Sequence, residues 1–338
     1  MCDYGTGLTS LVFQVIRPQL AVGAHKISAS YGEVLLKAWR ELADMAVVDN
    51  DDALFVHFEE MLQGLIHDCL HAIEQSYFRG LRFALGVFHE AKRLKGIDTL
   101  LLRLYGPILF RSLRCANAVV RAQATMIFFD AFPLQDTDAT AKESEIILQK
   151  QFDLLSSLLK DDDHRVRAAA ASGVCHVLRE YWEALPTQTT HRILSYIVGT
   201  LGFDSSSPSV RLAVVSGLGH ILEQPLAHSV LKGLLPLLSN ALHDKSQAVR
   251  LAFVQILNKV CCDLSETAAF LPYFICLSFV GCHRSKISEG FTFTKLSAWN
   301  ISNDGWQWML VALGFAVPLQ NYYCVHIIRS SNNLLPVV

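Results

Sequence analysis

The stretch QKQFDLLSSLLKDDDHRVRAAAASGVCHVLREYWEALP, residues Gln149–Pro186, decides the fold. On either side of its acidic turn, apolar residues recur every three or four positions. They are Leu148, Phe152, Leu155 and Leu159 before the turn, and Val166, Ala170, Val174 and Val177 after it. This spacing is typical of amphipathic α-helices. The stretch therefore predicts two helices joined by a short polar turn.

The same arrangement of a polar turn followed by Val-Arg occurs four times. The arginines are Arg121, Arg167, Arg211 and Arg250, which lie 46, 44 and 39 residues apart. Intervals of this size fit one two-helix repeat each. Because a single helix pair leaves an apolar stripe uncovered, successive pairs are expected to stack on one another.

Each turn predicts its own contacts. Asp163, Ser207 or Ser209, and Asp244 are placed to cap the following helix, a contribution of about 1 kcal/mol each. We expect the valine to face the core and the arginine to reach sideways toward the acidic turn of an adjacent repeat. The residues assigned this structural role are Val120, Arg121, Asp161, Val166, Arg167, Asp204, Val210, Arg211, Asp244, Val249 and Arg250.

The order of helix, Asp-containing turn, Val-Arg and alanine-rich helix resembles the HEAT-repeat family. The resemblance implies an all-α fold, a HEAT-repeat α-solenoid of stacked antiparallel helix pairs. We predict an irregular N-terminal helical region over residues 1–98 and a HEAT-repeat array of about four repeats over residues 99–270. Within the first region, helical spacing predicts one helix over Tyr31–Ala46 and another over Ala53–Ile73.

Residues 271–338 carry neither a Val-Arg turn nor a sustained helical stripe, and we predict a divergent, poorly ordered tail there. The alternative is a capping helix from Trp306 to Val317 that covers the last repeat. The apolar run Trp306–Leu319 is shorter than the roughly 20 residues of a membrane-spanning helix, so no membrane association is expected.

The composition is that of a folded chain. Of the 338 residues, 51% are hydrophobic and 18% are charged, which differs from the polar composition of disordered proteins. The formal net charge of −2 excludes a uniformly basic coat for nucleic acid. Nine cysteines at irregular spacings suggest free thiols in a reducing compartment.

Four segments carry a more specific resemblance: Leu104–Asp136, Gln149–Pro186, Phe203–Arg211 and Leu234–Val260. They resemble the G-subunit family of the condensin II complex, and the resemblance extends from about Ser28 to Val260. It implies a non-catalytic scaffold that binds the kleisin and other condensin II subunits and helps to contact DNA in mitotic chromosome assembly in the nucleus. Chains of this family are considerably longer, so this sequence resembles a short form.

A basic cluster lies where the resemblance suggests nucleic-acid contact. Residues 79–121 contain nine lysines and arginines against Glu90 and Asp98, a local net charge of +7. Such a cluster can hold a phosphate backbone through counterion release. The candidate DNA-binding residues are Lys92, Arg93, Lys95, Arg111 and Arg114, and the alternative is an ordinary solvated helix face.

The sequence contains only weak indications of metal binding or catalysis. His67 and His71 have a spacing able to hold zinc, but no second ligand pair accompanies them, which favours incidental histidines on a half-buried helix. A HEAT-repeat metal hydroxylase needs repeated His-Glu pairs, and His89-Glu90 is a single one. We therefore expect no enzyme activity, no metal, no cofactor and no small-molecule substrate. A generic adaptor of the transport or coat type remains the alternative function.

Overall fold

A computed structural model describes residues 2–22, 25–49 and 53–263 of the chain. The predicted tail at 271–338 and its alternative capping helix lie outside these residues. Twelve α-helices are formed in the described part: α1 Cys2–Val22, α2 His25–Asp49, α3 Ala53–Leu70, α4 Gln75–Glu90, α5 Ile97–Ser112, α6 Ala118–Asp130, α7 Ala141–Leu158, α8 His164–Glu180, α9 Thr187–Gly199, α10 Pro208–Ile221, α11 His228–Leu234 and α12 Gln247–Asp263. Short 3-10 helices lie at Ala91–Arg93, Trp182–Ala184, Leu201–Phe203, Pro225–Ala227 and Leu235–His243.

The chain divides into two compact units, Met1–Gln224 and Pro225–Val338. In the first unit the even-numbered helices pack side by side in the order α2, α4, α6, α8 and α10. On the odd-numbered side, α1 packs on α3 and α3 on α5, and the pairs α1–α2, α3–α4, α5–α6 and α7–α8 are in contact. The predicted all-α, HEAT-type solenoid of stacked helix pairs is therefore confirmed.

The two stripes predicted on either side of the acidic turn form part of the core. Val166, Ala170 and Val174 are fully buried, and Phe152, Leu155 and Leu159 are buried on the preceding helix. Leu148, at the start of its stripe, is half-buried. Full burial of an aliphatic side chain contributes about 1.5–3 kcal/mol each. The stripes are therefore a main source of cohesion between neighbouring helices.

The two helices predicted near the N-terminus are present as α2 and α3. The helical spacing that predicts these two helices includes Val34 and Ile73 among its apolar residues, but Val34 is 54% exposed and Ile73 is 98% exposed. Ile73 lies beyond Leu70, the last residue of α3, and falls in the turn before α4. The stripe was predicted to continue past the end of its helix, and this extension was wrong.

In the second unit the described residues form a further helix pair, α11 with the long 3-10 segment Leu235–His243, followed by α12. The 3-10 segment packs on α12, and Leu235, Leu238, Val249 and Phe253 are buried there. Pro236 lies at the start of the 3-10 segment. Since proline removes a backbone donor and clashes with the preceding turn, it accounts for the break in the α-helix.

Among the described residues, no helix combines the length and the apolar character that crossing a membrane requires.

Candidate interaction surface

Each repeat turn is built by its own polar side chains. The carboxylates of Asp161, Asp204 and Asp244 accept hydrogen bonds from the backbone N–H two residues later, at 2.8, 2.8 and 2.7 Å. Asp163 and Ser207 cap α8 and α10 as predicted. Asp244 was also expected to be a cap, but it bonds within the turn, because α12 begins three residues later at Gln247.

Arg121 links the turn of one helix pair to the turn of the next. Its Nε and Nη2 donate to the two carboxylate oxygens of Asp161, both at 2.9 Å. Its Nη1 donates to the carbonyls of Cys115 and Ala116 in its own turn, also at 2.9 Å. The guanidinium therefore satisfies carbonyls in its own turn and holds the acidic turn of the following pair.

Arg167 repeats this arrangement one pair further along. Its Nε donates to Asp204 at 3.0 Å and its Nη2 to the hydroxyl of Ser206 at 2.6 Å, while Nη1 donates to the carbonyls of Asp161 and Asp162. Burial raises the pKa of Asp204, but hydrogen bonds from Ser206 and Arg167 outweigh burial, and the net pKa lies below its ordinary value.

Arg211 and Arg250 bond to their own turns in the same way, through Nη1 to the carbonyls of Asp204 and Asp244, both at 2.6 Å. The four preceding valines are all buried: Val120, Val166, Val210 and Val249. The recurring Val-Arg therefore places valine in the core and arginine in the turn.

The basic cluster of residues 79–121 does not form one free surface. Arg82 pairs with Asp130, Arg103 with Glu59, and Arg121 with Asp161. Each of these pairs joins residues more than 39 positions apart in the chain. These three arginines therefore connect segments that are distant in sequence, and no pattern in the sequence indicates the acidic partners of Arg82 and Arg103.

Lys92 is placed differently from the other candidates for DNA contact. Its Nζ donates to the carbonyls of Ala131 and Pro133, the latter at 2.8 Å, where the chain leaves α6. Burial lowers the pKa of Lys92 to about 8. The ammonium group is therefore already occupied by backbone oxygens and is the least available of the five candidates.

The remaining four candidates, Arg93, Lys95, Arg111 and Arg114, are exposed. Within the described part of the chain, none of their side chains forms an ion pair. Arg93 and Lys95 lie just before α5, whereas Arg111 and Arg114 lie at its end. Since α5 has 16 residues, the two pairs are about 24 Å apart. The structure therefore resolves the predicted cluster into two exposed basic pairs.

Arg114 shares an open groove with the next helix pair. Cys115, Ser157, Lys160 and Asp162 also line this groove. Lys160 is exposed, and its Nζ lies 5.5 Å from the centre of the Tyr196 ring. Sequence reasoning missed Lys160 as a residue of the same groove as Arg114, because the two residues are 46 positions apart and line one groove only in the folded chain.

Two glycines were also missed. Gly173 and Gly217 each lie six residues after a repeat arginine. A Cβ on Gly173 would overlap the ring of Phe129, and one on Gly217 would lie 2.6 Å from Sγ of Cys175. Each glycine holds the same position relative to its repeat arginine, Arg167 or Arg211. This shared position in the sequence could have indicated that α8 lies close to α6, and α10 close to α8, at these glycines.

Groups with possible metal or catalytic chemistry are mostly committed to structural contacts. His89 is buried with Nε2 2.8 Å from the Tyr105 hydroxyl, and burial lowers the pKa of His89 to about 4. Its neighbour Glu90 is exposed. Asp161 and Asp163 bond to Arg121 and Arg165. Within residues 2–22, 25–49 and 53–263, no three His, Cys, Asp or Glu side chains are arranged to hold a metal.

A family model and several similar proteins all indicate the same family for this chain. Residues 1–136 match the family described as the condensin II non structural maintenance of chromosomes subunit. Condensin-2 complex subunit G2 from Mus musculus is 34% identical over 267 residues, which cover 76% of this chain and 22% of that protein. The Danio rerio protein of the same name is 34% identical over 250 residues, covering 74% and 21%.

The Homo sapiens condensin-2 complex subunit G2 is 33% identical over 262 residues, covering 76% of this chain and 22% of that protein. This chain thus spans about a fifth of the length of the curated relatives it matches.

Proposed function

Over about three quarters of its length this chain belongs to the family of condensin-2 complex subunit G2, and we propose that it acts as a non-catalytic scaffold of a condensin II complex. In this role it binds the kleisin and other subunits of the complex, and it contributes to DNA contact during mitotic chromosome assembly in the nucleus. The similarity to subunit G2 is the observation that carries the proposal.

The fold suits this role. Stacked helix pairs bury their apolar faces against each other and leave extended surfaces for other macromolecules. Turn contacts such as Arg121 with Asp161 and Arg167 with Asp204 hold successive pairs in register. A stack of this kind can bind an extended partner such as a kleisin segment without catalytic chemistry of its own.

DNA contact is assigned to Arg93, Lys95, Arg111 and Arg114, with Lys92 as the remaining candidate of the same cluster. The support is that these four side chains are exposed and without ion-pair partners among the described residues. Their separation of about 24 Å along α5 corresponds to about seven base pairs of duplex at 3.4 Å each. The two basic pairs therefore suit sequence-independent contact with phosphates.

Kleisin binding is tested with the whole chain and a kleisin fragment of the same complex, by pull-down and by size-exclusion chromatography. We expect a stable complex with the kleisin and no capture of coat or transport-receptor components. Capture of those components without the kleisin would favour the generic adaptor of transport or coat type. The two functions share this fold, so only the partner separates them.

DNA contact is tested by fluorescence anisotropy with a labelled duplex, with and without the kleisin fragment, at two salt concentrations. The variant Arg93→Gln/Lys95→Gln/Arg111→Gln/Arg114→Gln is expected to bind about tenfold more weakly or worse. The plot of log affinity against log salt should also become shallower, by about 0.9 per lost phosphate contact.

A control with two charges removed elsewhere is Lys142→Gln/Lys150→Gln, since both lysines are exposed on α7. It should bind as the wild type does. Wild-type protein that does not bind DNA even at low salt with the kleisin present would reject the DNA assignment while leaving the scaffold role in place.

A metal hydroxylase is disfavoured by the placement of its one His-Glu pair. Because His89 is buried against Tyr105 and Glu90 is exposed, the two side chains do not face a common site. An iron assay on purified protein is expected to find none bound.

A further inference from the structure

Arg103 is the most exposed of the three arginines in the basic cluster that form ion pairs. Its side chain is 51% exposed, whereas those of Arg82 and Arg121 are 37% and 16% exposed. Its Nε and Nη2 donate to the two carboxylate oxygens of Glu59, the former at 3.0 Å. Within the described part of the chain, Nη1 of Arg103 forms no hydrogen bond. The guanidinium therefore keeps donors that can reach a further anion.

The acidic partner of Arg103 is itself held by a second side chain. The indole Nε1–H of Trp39 donates to Oε1 of Glu59 at 3.0 Å. Trp39 is 5% exposed, and the side chain of Glu59 is 12% exposed. Since side chains packed in a protein interior have little room to move, the carboxylate is fixed in place. Glu59 thus orients the guanidinium of Arg103 from a shielded position.

Trp39 also packs against the start of α5. A Cβ at Gly96, the residue before this helix, would lie 3.5 Å from Cη2 of the Trp39 ring. Gly96 has a φ of 83°, a conformation that favours glycine, and it directly follows the exposed Lys95. The same buried ring therefore supports the backbone beside Lys95 and, through Glu59, the side chain of Arg103.

Arg103 lies between the two exposed basic pairs. Lys95 is eight residues before it and Arg111 is eight residues after it. Eight residues of helix correspond to about 12 Å, so Arg103 divides the distance of about 24 Å between the pairs into two equal steps. No acidic residue follows Asp98 within α5, and the carboxylate of Glu59 is shielded from solvent. The exposed side of α5 therefore offers an anion several donors in a row.

We propose that Arg103 is a further phosphate contact of the DNA-binding surface, and that Glu59 and Trp39 are its positioning residues. The proposal rests on the DNA contact assigned above to the two basic pairs. Arginine bonds a carboxylate and a phosphate at the same time through separate edges of its planar group. Arg103 makes the basic pairs a continuous track, so the DNA backbone follows α5 along its length instead of touching its two ends alone.

The test is fluorescence anisotropy of the full chain with a labelled duplex and the kleisin fragment at several salt concentrations. Arg103→Gln should weaken DNA binding at least threefold. The plot of log affinity against log salt should become shallower by about 0.9, the value for one phosphate contact. The matched control is Arg165→Gln, because Arg165 is also an ion-paired arginine, is 49% exposed and lies on α8. It should keep the wild-type affinity and slope.

Trp39→Phe tests the positioning role, since phenylalanine keeps an aromatic ring but lacks the N–H that donates to Glu59. It should weaken DNA binding at least twofold in the wild-type background. In the Arg103→Gln background it should have no effect, because no guanidinium remains to be oriented. Equal losses in both backgrounds would reject the positioning role. Circular dichroism verifies that every variant is folded.

The outcomes separate this inference from the DNA contact on which it rests. The inference alone is wrong if Arg103→Gln keeps the wild-type affinity and slope while the variant lacking Arg93, Lys95, Arg111 and Arg114 binds weakly. If the wild type does not bind DNA, both the inference and the assigned DNA contact are wrong.

Discussion

Arg167 and Asp204 form an ion pair 37 residues apart in sequence, and it is well shielded from water. Their side chains are only 13% and 9% exposed. The guanidinium also donates to the carbonyls of Asp161 and Asp162, so one side chain connects two consecutive turns. Because the pair joins α8 to the turn before α10, it couples the stability of two neighbouring helix pairs.

Arg167→Met is therefore expected to lower the free energy of unfolding by about 2 kcal/mol. Methionine preserves much of the apolar stem but removes the arginine's hydrogen bonds to Asp204 and to two turn carbonyls, and hydrogen bonds to charged groups are worth about 1.5–3 kcal/mol. Urea unfolding followed by circular dichroism measures the change.

Arg165→Met is the control, because Arg165 pairs with Asp163 inside a single turn and is 49% exposed. It should cost less than about 1 kcal/mol, as exposed ion pairs do. Equal losses for the two variants would contradict the role of Arg167 between turns.

The lowered pKa of Asp204 predicts a dependence of stability on pH. The unfolded carboxylate takes up a proton more readily than the folded one, so its contribution is complete above about pH 4 and is lost as pH falls through the folded pKa. Between about pH 5 and pH 3, the free energy of unfolding should fall further for the wild type than for Asp204→Asn. Parallel curves for the two proteins would reject the assignment to Asp204.

Gly173→Ala tests the close approach of α8 to α6. The added methyl group meets the ring of Phe129, and overpacking of this kind costs about 1–3 kcal/mol. Gly86→Ala is the matched control within α4, since no atom lies within 4 Å of the added Cβ. It should be neutral or stabilising by up to about 1 kcal/mol through helix propensity. Thermal unfolding distinguishes the two outcomes.

Cysteine labelling tests burial residue by residue. Burial raises the pKa of the Cys175 thiol to about 12 and that of Cys69 further still. The thiolate is the reactive form, so both should resist iodoacetamide at about pH 8 in the folded protein, whereas the half-exposed Cys115 should react. Peptide mass spectrometry identifies the modified residues, and labelling in denaturant provides the fully reacted reference.

The candidate interaction surface was only partly predictable. The local charge of residues 79–121 identified the cluster, but pairing of Arg82 with Asp130 and Arg103 with Glu59 depends on helices distant in sequence. The same holds for Lys92, whose carbonyl partners follow α6. A contact between a basic side chain and a distant acceptor produces no periodic pattern in the sequence. The sequence analysis therefore overestimated the number of basic side chains in residues 79–121 that are free to bind DNA.

The division of the array at residues 98 and 270 stays a prediction, as does the assignment of DNA contact. In the described residues before 98, α1–α2 and α3–α4 already form contacting helix pairs. These two helix pairs contain no Val-Arg turn. Their similarity to the later pairs was therefore less evident from the sequence.

By itself the sequence determined the helical class, the turns and the placement of the repeat valines and arginines. These features follow from apolar spacing and local capping, which involve residues within one or two helical turns of each other. Tertiary structure alone decided which cations of the basic cluster form ion pairs and which glycines lie against a side chain of a neighbouring helix. Such ion pairs and close contacts form where separate helices meet. Their contributions to the free energy of folding depend on distances between helices, and the amino-acid sequence does not specify these distances directly.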